Sequence, residues 1–280
     1  TEMNGRSMSP KRLIPPAALA LLTAALYTPV VIPLARQWLN DANYRHGIAI
    51  PIISGLILWT RRERLRGIDR DGGAVTGYIL VAIASGLLIG GTAASEFFTA
   101  RLSIPVMLLG FSYILGGREF VRRARFPLLF LFMMIPLPYI IYYKITFPMQ
   151  MLSAKLSASL LDLIHTPVIR RGNILVLPNY ELEVVAACSG LRSLMTMITL
   201  ALVISAVSEL TAARKTILVI CAVPAAIIAN TLRLAVTAVG AYSISAQFAE
   251  GTLHEISGLI VFFAGFILLM ITFFILRWTR

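Results

Sequence analysis

Eight apolar stretches divide the chain, and they limit its possible folds more than any other feature. A helix that crosses a lipid bilayer needs about 20 largely apolar residues. The second and fourth stretches are shorter than this. We predict an all-α polytopic membrane protein with about eight transmembrane helices, at residues 13–35, 47–60, 74–94, 102–117, 126–143, 190–208, 216–241 and 256–276.

The composition excludes several classes of protein. Apolar residues make up 58% of the chain and charged residues 14%, whereas about 25% of the residues in soluble domains are charged. This rules out an ordinary soluble enzyme, and the high hydrophobicity rules out a disordered chain. Two cysteines are too few for a disulfide scaffold.

The first stretch follows two basic residues, as the core of a signal peptide does. It is longer than such a core and no small-residue cleavage site follows it, so we predict a retained helix. Residues 1–12 then form a cytoplasmic tail, and residues 13–280 a single integral membrane domain. Because the chain starts with Thr rather than Met, a cloning remnant is one interpretation of part of this tail.

The basic residues indicate the orientation in the membrane. Lys and Arg total 25 against 13 acidic residues, which gives a net charge of +12. In a soluble protein this excess would suggest nucleic acid. Here 16 basic residues lie on the side of the N-terminus and 7 in the opposite segments. The positive-inside rule therefore predicts that both termini are cytoplasmic, and no nucleic-acid partner is expected.

The segment 144–189 lies on the outer side in this topology. Its first part, residues 144–165, repeats apolar residues at near-helical spacing and predicts an amphipathic helix on the outer membrane surface. Two short alternating runs, 168–177 and 180–187, flank Pro178–Asn179 and predict a β-hairpin. The hairpin leads directly to Cys188.

Polar residues at or inside the membrane are energetically costly and indicate functional sites. Cys188 and Arg192 are four residues apart and share a face of the sixth span. A helix N-terminus and a neighbouring cation both favour a thiolate. The alternative is that Cys188 is a small packing residue.

Two further groups lie on the seventh and eighth spans. Asn230 and Arg233 lie in the outer half of the seventh span, where the arginine is either a site residue or an anchor that reaches the interface. His254 precedes the eighth span and can serve as a general base, or it is an ordinary solvated loop residue. His46, which opens the second span beside Tyr44, is a weaker candidate.

The predicted topology brings Cys188, Arg233 and His254 to the outer face from three different spans. A nucleophile, a cation and a base at one level make covalent cysteine chemistry feasible. Cys221 lies deep in the seventh span among apolar residues, and we predict that it only packs. We predict no cofactor and no metal ion.

At these positions the sequence resembles the exosortase/archaeosortase family of multi-pass membrane cysteine transpeptidases. The resemblance extends over residues 40–276. Its motifs are Tyr44-x-His46-Gly47, Ala187-Cys188-Ser189-Gly190-Leu191-Arg192-Ser193, Asn230-Thr231-Leu232-Arg233, and His254 followed by Gly258.

The resemblance implies cleavage of exported proteins at a C-terminal sorting signal, which consists of a Pro-Glu-Pro-type motif, an apolar helix and a basic tail. Cys188 would be the nucleophile, His254 the proton-transfer residue and Arg233 the group that stabilises the oxyanion or the thiolate. Arg192, Asn230 and His46 would support them. The thioester would pass to water or to a lipid or glycan acceptor, on the periplasmic side of the bacterial inner membrane.

Two other functions remain open. One is a non-enzymatic membrane component of exopolysaccharide biosynthesis or export. The other is an intramembrane protease that only hydrolyses. A transporter is disfavoured because no inverted repeat is evident in the sequence.

Overall fold

The computed structural model describes residues 16–68, 72–184, 190–245 and 251–278. Its strands are β1 (Ile169–Arg171), β2 (Ile174–Val176) and β3 (Glu181–Glu183), and a 3-10 turn spans Leu131–Met134. Its helices are α1 (Pro16–Asn40), α2 (His46–Thr60), α3 (Arg62–Leu65), α4 (Ala74–Ala93), α5 (Phe97–Arg123), α6 (Arg125–Phe130), α7 (Tyr139–Leu163), α8 (Leu191–Val207), α9 (Ala212–Ser243) and α10 (Gly251–Trp278).

The chain is an all-α membrane protein with a small sheet. Among the described residues, four helices are long and apolar enough to cross a membrane: α4, α5, α9 and the part of α10 from Gly258. A bent pair, Arg125–Met134 followed by α7, could supply a fifth span. The apolar helices α2 and α8 are shorter. Eight spans and cytoplasmic termini therefore stay predictions.

The fifth predicted span, 126–143, is wrong as a single straight helix. The chain bends by 84° between Met134 and Tyr139. Pro136 and Pro138 lie in this bend, and a proline lacks the backbone N–H that a helix needs and restricts the residue before it. The next helix consequently begins at Tyr139 rather than at residue 144.

Helix α7 presents two unlike sides. Its apolar residues Phe147, Leu152 and Leu163 are exposed, as a side in contact with lipid requires. The buried side, which packs against α9, includes four polar residues, a feature that the amphipathic pattern of the sequence did not predict. The buried polar residues of this side are Thr146, Gln150, Ser153 and Ser157.

The chain divides into two compact units. Among the described residues, one unit comprises 16–37 and those between 68 and 121, and the other comprises 38–67 and those between 122 and 278. In the first unit, Tyr27, Leu88 and Met107 belong to one buried cluster, and the Tyr27 hydroxyl donates to the Ser103 carbonyl at 3.3 Å. Every site residue discussed below belongs to the second unit.

In the second unit, α8, α9 and α10 pack together around a core that includes Met197, Leu218 and Leu269. These three residues are 0% exposed. The same core contains Ala201 and Ala222, and small residues of this kind let helices approach closely within a membrane.

The sheet is a three-stranded antiparallel meander in the order β1-β2-β3. The run 168–177, expected as one strand, turns at Gly172, whose φ is 66°, and supplies two strands. Leu175 on β2 pairs with Leu182 on β3, and both are buried in a cluster with Leu161 of α7 and Leu234 of α9. The sheet is thereby fixed on the ends of α7 and α9.

Candidate functional site

Asn230 lies at the centre of the candidate site, on α9. Its side chain is 2% exposed, and Nδ2 donates a hydrogen bond to Ser153 Oγ of α7 at 3.0 Å. One residue further along α9, the Thr231 carbonyl accepts a hydrogen bond from Ser157 Oγ at 3.2 Å. The small polar side of α7 therefore fixes the stretch of α9 that carries Asn230.

The turn before α8 packs closely against Asn230. Gly190, the residue before the helix, has a left-handed backbone with φ of 83°, which other L-residues adopt only at a cost. A Cβ added there would lie 2.8 Å from Asn230 Cγ and 2.9 Å from Asn230 Cβ. Glycine is thus required both for the turn and for the close approach.

Arg233 contacts the first part of α10 in a similar way. A Cβ added to Gly258 would lie 3.0 Å from Arg233 Nε and 3.2 Å from Arg233 Cζ. The half-buried guanidinium therefore passes directly over the Gly258 backbone. Gly265, two turns further along α10, lies against Ala229, where its own Cβ would be 2.8 Å from the Ala229 Cβ.

Cys188 and the side chain of His254 lie outside the described residues. The backbone of His254 is helical and belongs to α10, one turn before Gly258. Cys188 precedes Gly190 by two residues. The structure thus brings together the described neighbours of the predicted nucleophile and base, with Asn230 and Arg233 on the helix between them.

The chain is also fixed before Cys188. Val184 is 0% exposed and belongs to the buried cluster that contains Leu234 of α9. Two hydrogen bonds join it to Asn173: Val184 N donates to Asn173 O at 2.9 Å, and Asn173 Nδ2 donates to Val184 O at 3.3 Å. Residues on both sides of the segment 185–189 are therefore attached to neighbouring turns of α9.

The predicted supporting residues fall into two groups. Asn230 lies with Arg233 on α9. Arg192 lies in the first turn of α8, close enough to Tyr142 for its positive charge to interact with the Tyr142 hydroxyl. The negative charge of Asp41 interacts with the same hydroxyl. Within the described part of the chain, Arg192 Nε is buried without a hydrogen-bond partner.

His46 belongs to the same region as Tyr142, through its neighbour Tyr44. The Tyr44 and Tyr142 rings are 6.3 Å apart between centroids. His46 is half-buried at the start of α2, where its side chain hydrogen-bonds with the Asn43 backbone. Gly47 packs against the Trp38 indole, whose Nε1 donates to the Met134 carbonyl at 2.9 Å.

Two features of the site were missed in the sequence. Ser153 and Ser157 recur with Thr146 and Gln150 at intervals of three and four residues, which marks one face of a helix. That spacing could have revealed the polar side of α7. The close contacts at Gly190 were not foreseeable, because they depend on which helices meet.

The described residues can supply charge and hydrogen-bond donors. A guanidinium offers five N–H donors and cannot act as a base at ordinary pH, so Arg233 is suited to stabilising an anion. Within the described ranges, no group of three His, Cys, Asp or Glu side chains is arranged to hold a metal ion.

The fold and this cluster define a polytopic α-helical membrane protein with a polar site where α7, the turn before α8 and α10 all meet α9. Comparison with protein families then gives the specific assignment. Residues 38–271 match the family model described as transmembrane exosortase (Exosortase_EpsH). The chain therefore belongs to the transmembrane exosortase family. No curated protein and no solved structure matches the chain.

Proposed function

We propose that the protein is a membrane-embedded cysteine peptidase or transpeptidase that cleaves the C-terminal sorting signals of exported proteins. The observation that carries this proposal is the convergence of three helices around Asn230 and Arg233. Gly190 of the turn before α8 lies against Asn230, and Gly258 of α10 lies against Arg233. Family membership supports the same general role.

Chain geometry limits how far Cys188 and His254 can lie from this cluster. Two residues span at most about 7 Å, so the Cα of Cys188 lies within that distance of the Gly190 Cα. One helical turn rises about 5.4 Å, which separates the His254 backbone from Gly258 along α10. Both separations are short enough for the side chains of Cys188 and His254 to contact a peptide bound beside Asn230 and Arg233.

In the proposed reaction, Cys188 Sγ attacks the carbonyl carbon of the scissile peptide bond after its proton passes to His254. The resulting oxyanion accepts hydrogen bonds from the Arg233 guanidinium, a preorganised donor of the kind that lowers such barriers. The C–N bond then breaks, and His254 returns the proton to the departing amine. A thioester between the substrate and Cys188 remains.

Water or an amine acceptor then attacks the thioester and releases Cys188. Hydrolysis leaves a free carboxylate on the exported protein, whereas transfer leaves an amide to a lipid or glycan carrier. In both cases, His254 accepts the proton of the attacking group and returns it to the cysteine sulfur. Mass analysis of the new C-terminus distinguishes the two products.

We further propose that the site faces the periplasm. From Gly258 to Arg277, α10 rises about 28 Å at about 1.5 Å per residue, which is close to the thickness of the hydrocarbon core. The Arg233 contact therefore lies near one membrane surface, and the basic end of α10 lies near the other. Positive charge favours the cytoplasmic side for the basic end.

Co-expression with a protein that bears a sorting signal tests the proposal. Cys188→Ala should abolish removal of the C-terminal helix, because no nucleophile remains, whereas Cys221→Ala should leave processing unchanged. Cys221 is a suitable control because it lies half-buried in α9. Normal processing in cells that carry Cys188→Ala would contradict the cysteine mechanism. Processing that also continues in cells without this protein would favour the non-enzymatic role in exopolysaccharide export.

A further inference from the structure

A second candidate binding site lies at the other end of the packed helices α8, α9 and α10. The turn between α8 and α9 and the C-terminal part of α10 together line a pocket of about 510 Å³. This pocket takes no part in the proposed cysteine chemistry. Its lining includes Ile204, Val207, Glu209, Arg214, Phe273 and Arg277.

The charged lining favours an anion. Arg214 comes from the first turn of α9 and Arg277 from the last turn of α10, so two separate helices each contribute an arginine to the lining of one pocket. Glu209 is the one acidic residue among the lining residues, and the formal charge stays positive. Guanidinium groups bind phosphate through paired, charge-assisted hydrogen bonds.

The apolar lining favours an occupant that also carries hydrocarbon. Ile204 and Phe273 contribute to the wall, and Val207 at its edge is 65% exposed. Next to the pocket, Phe274 is 58% exposed and Trp278 is 91% exposed. Exposed tryptophan at the end of a membrane helix is typical of the membrane–water interface. A free phosphate ion would leave this apolar surface uncovered.

We propose that this pocket binds an anionic phospholipid, with the headgroup phosphate between Arg214 and Arg277. The acyl chains lie along the exposed apolar side of α10. Basic pockets between helices on the cytoplasmic side of a membrane commonly hold anionic lipid headgroups. The pocket lies at the end of α10 opposite the Arg233 contact, on the side predicted to be cytoplasmic.

Native mass spectrometry of the full chain in detergent can test this proposal. Wild-type protein should bind phosphatidylglycerol at least about tenfold more tightly than phosphatidylcholine, because both lipids carry the phosphate but the choline cation of phosphatidylcholine is repelled by the two arginines. Arg214→Gln combined with Arg277→Gln should remove this preference. Arg277→Gln alone should reduce the preference for phosphatidylglycerol. Because Arg277 lies at an exposed helix end, this single variant still tests the proposal if the double variant misfolds.

The matched control is Arg62→Gln combined with Arg66→Gln. It removes the same charge from exposed arginines outside the pocket and should retain the preference. Equal affinity for the two lipids would overturn the proposal, as would an unchanged preference in the double pocket variant. Glycerol phosphate that competed as strongly as the lipid would show a site for free phosphate and would also overturn it.

Discussion

Gly190→Ala tests the contact that links the cysteine segment to α9. Alanine at φ of 83° costs about 1–2 kcal/mol in backbone strain. Its Cβ would lie 2.8 Å from Asn230 Cγ, and such overpacking typically costs about 1–3 kcal/mol more. Because Asn230 is buried and held by Ser153, it cannot move aside freely. We expect a total destabilisation of about 2–5 kcal/mol.

Gly172→Ala is the matched control. Gly172 also has positive φ, at 66°, but nothing lies within 4 Å of an added Cβ. This variant should show only the backbone strain, about 1–2 kcal/mol. The difference between the two variants, about 1–3 kcal/mol, therefore measures the contact with Asn230.

Thermal unfolding of the purified variants in detergent gives the comparison. For a chain of this size, 1 kcal/mol corresponds to about 2–4 °C. Gly190→Ala should therefore unfold at least about 2 °C below Gly172→Ala. It should also process a sorting-signal substrate poorly, because the turn lies two residues after Cys188. Equal unfolding temperatures for the two variants would refute the packing of Gly190 on Asn230.

Three further predictions follow from described contacts. Gly258→Ala would push the Arg233 guanidinium aside by a few tenths of an ångström. It should lower substrate processing about tenfold with little loss of stability, since a small misplacement of a catalytic group is costly. The control Gly55→Ala, with open space around the added Cβ, should leave processing unchanged and cause no loss of stability. Full activity of Gly258→Ala would contradict the role of Arg233. Ser153→Ala should lower the free energy of unfolding by about 1 kcal/mol, because the hydrogen bond to Asn230 is lost. An unfolding temperature equal to that of wild type would show that this bond contributes nothing to stability. Hydrogen bonds from the Thr99 hydroxyl and backbone hold the pKa of Glu96 below its ordinary value. The Glu96 carboxylate therefore stabilises the fold at neutral pH, and this contribution is lost as pH falls below about 4.5. Wild type should lose more stability than Glu96→Gln between pH 7 and pH 4, and equal losses would contradict this prediction.

The apolar pattern of the sequence predicted the class of fold because lipid requires it. Long stretches such as 216–241 and 74–94 correspond closely to α9 and α4, since in hydrocarbon every backbone group must be satisfied within a helix. The same apolar pattern continues through the bend after Met134 and therefore did not predict it. Proline can be tolerated within a membrane helix, as Pro105 is in α5, so Pro136 and Pro138 did not by themselves fix the break.

The site was predictable in part for a related reason. Arg233 and Asn230 are conspicuous because polar side chains are expensive in the membrane. Their contacts depend on tertiary packing: Ser153 of α7 and Gly258 of α10 meet α9 from different parts of the chain. Sequence spacing within one helix cannot show which side of it meets another.

The central claim is that Cys188 carries a covalent intermediate. Intact-mass analysis after incubation with a sorting-signal substrate tests this most directly, because a thioester adds the mass of the substrate's N-terminal part to the enzyme. We expect this adduct in wild type and in Cys221→Ala, with loss on treatment with hydroxylamine, and no adduct in Cys188→Ala. An adduct that persists in Cys188→Ala, or substrate turnover by that variant, would contradict the account.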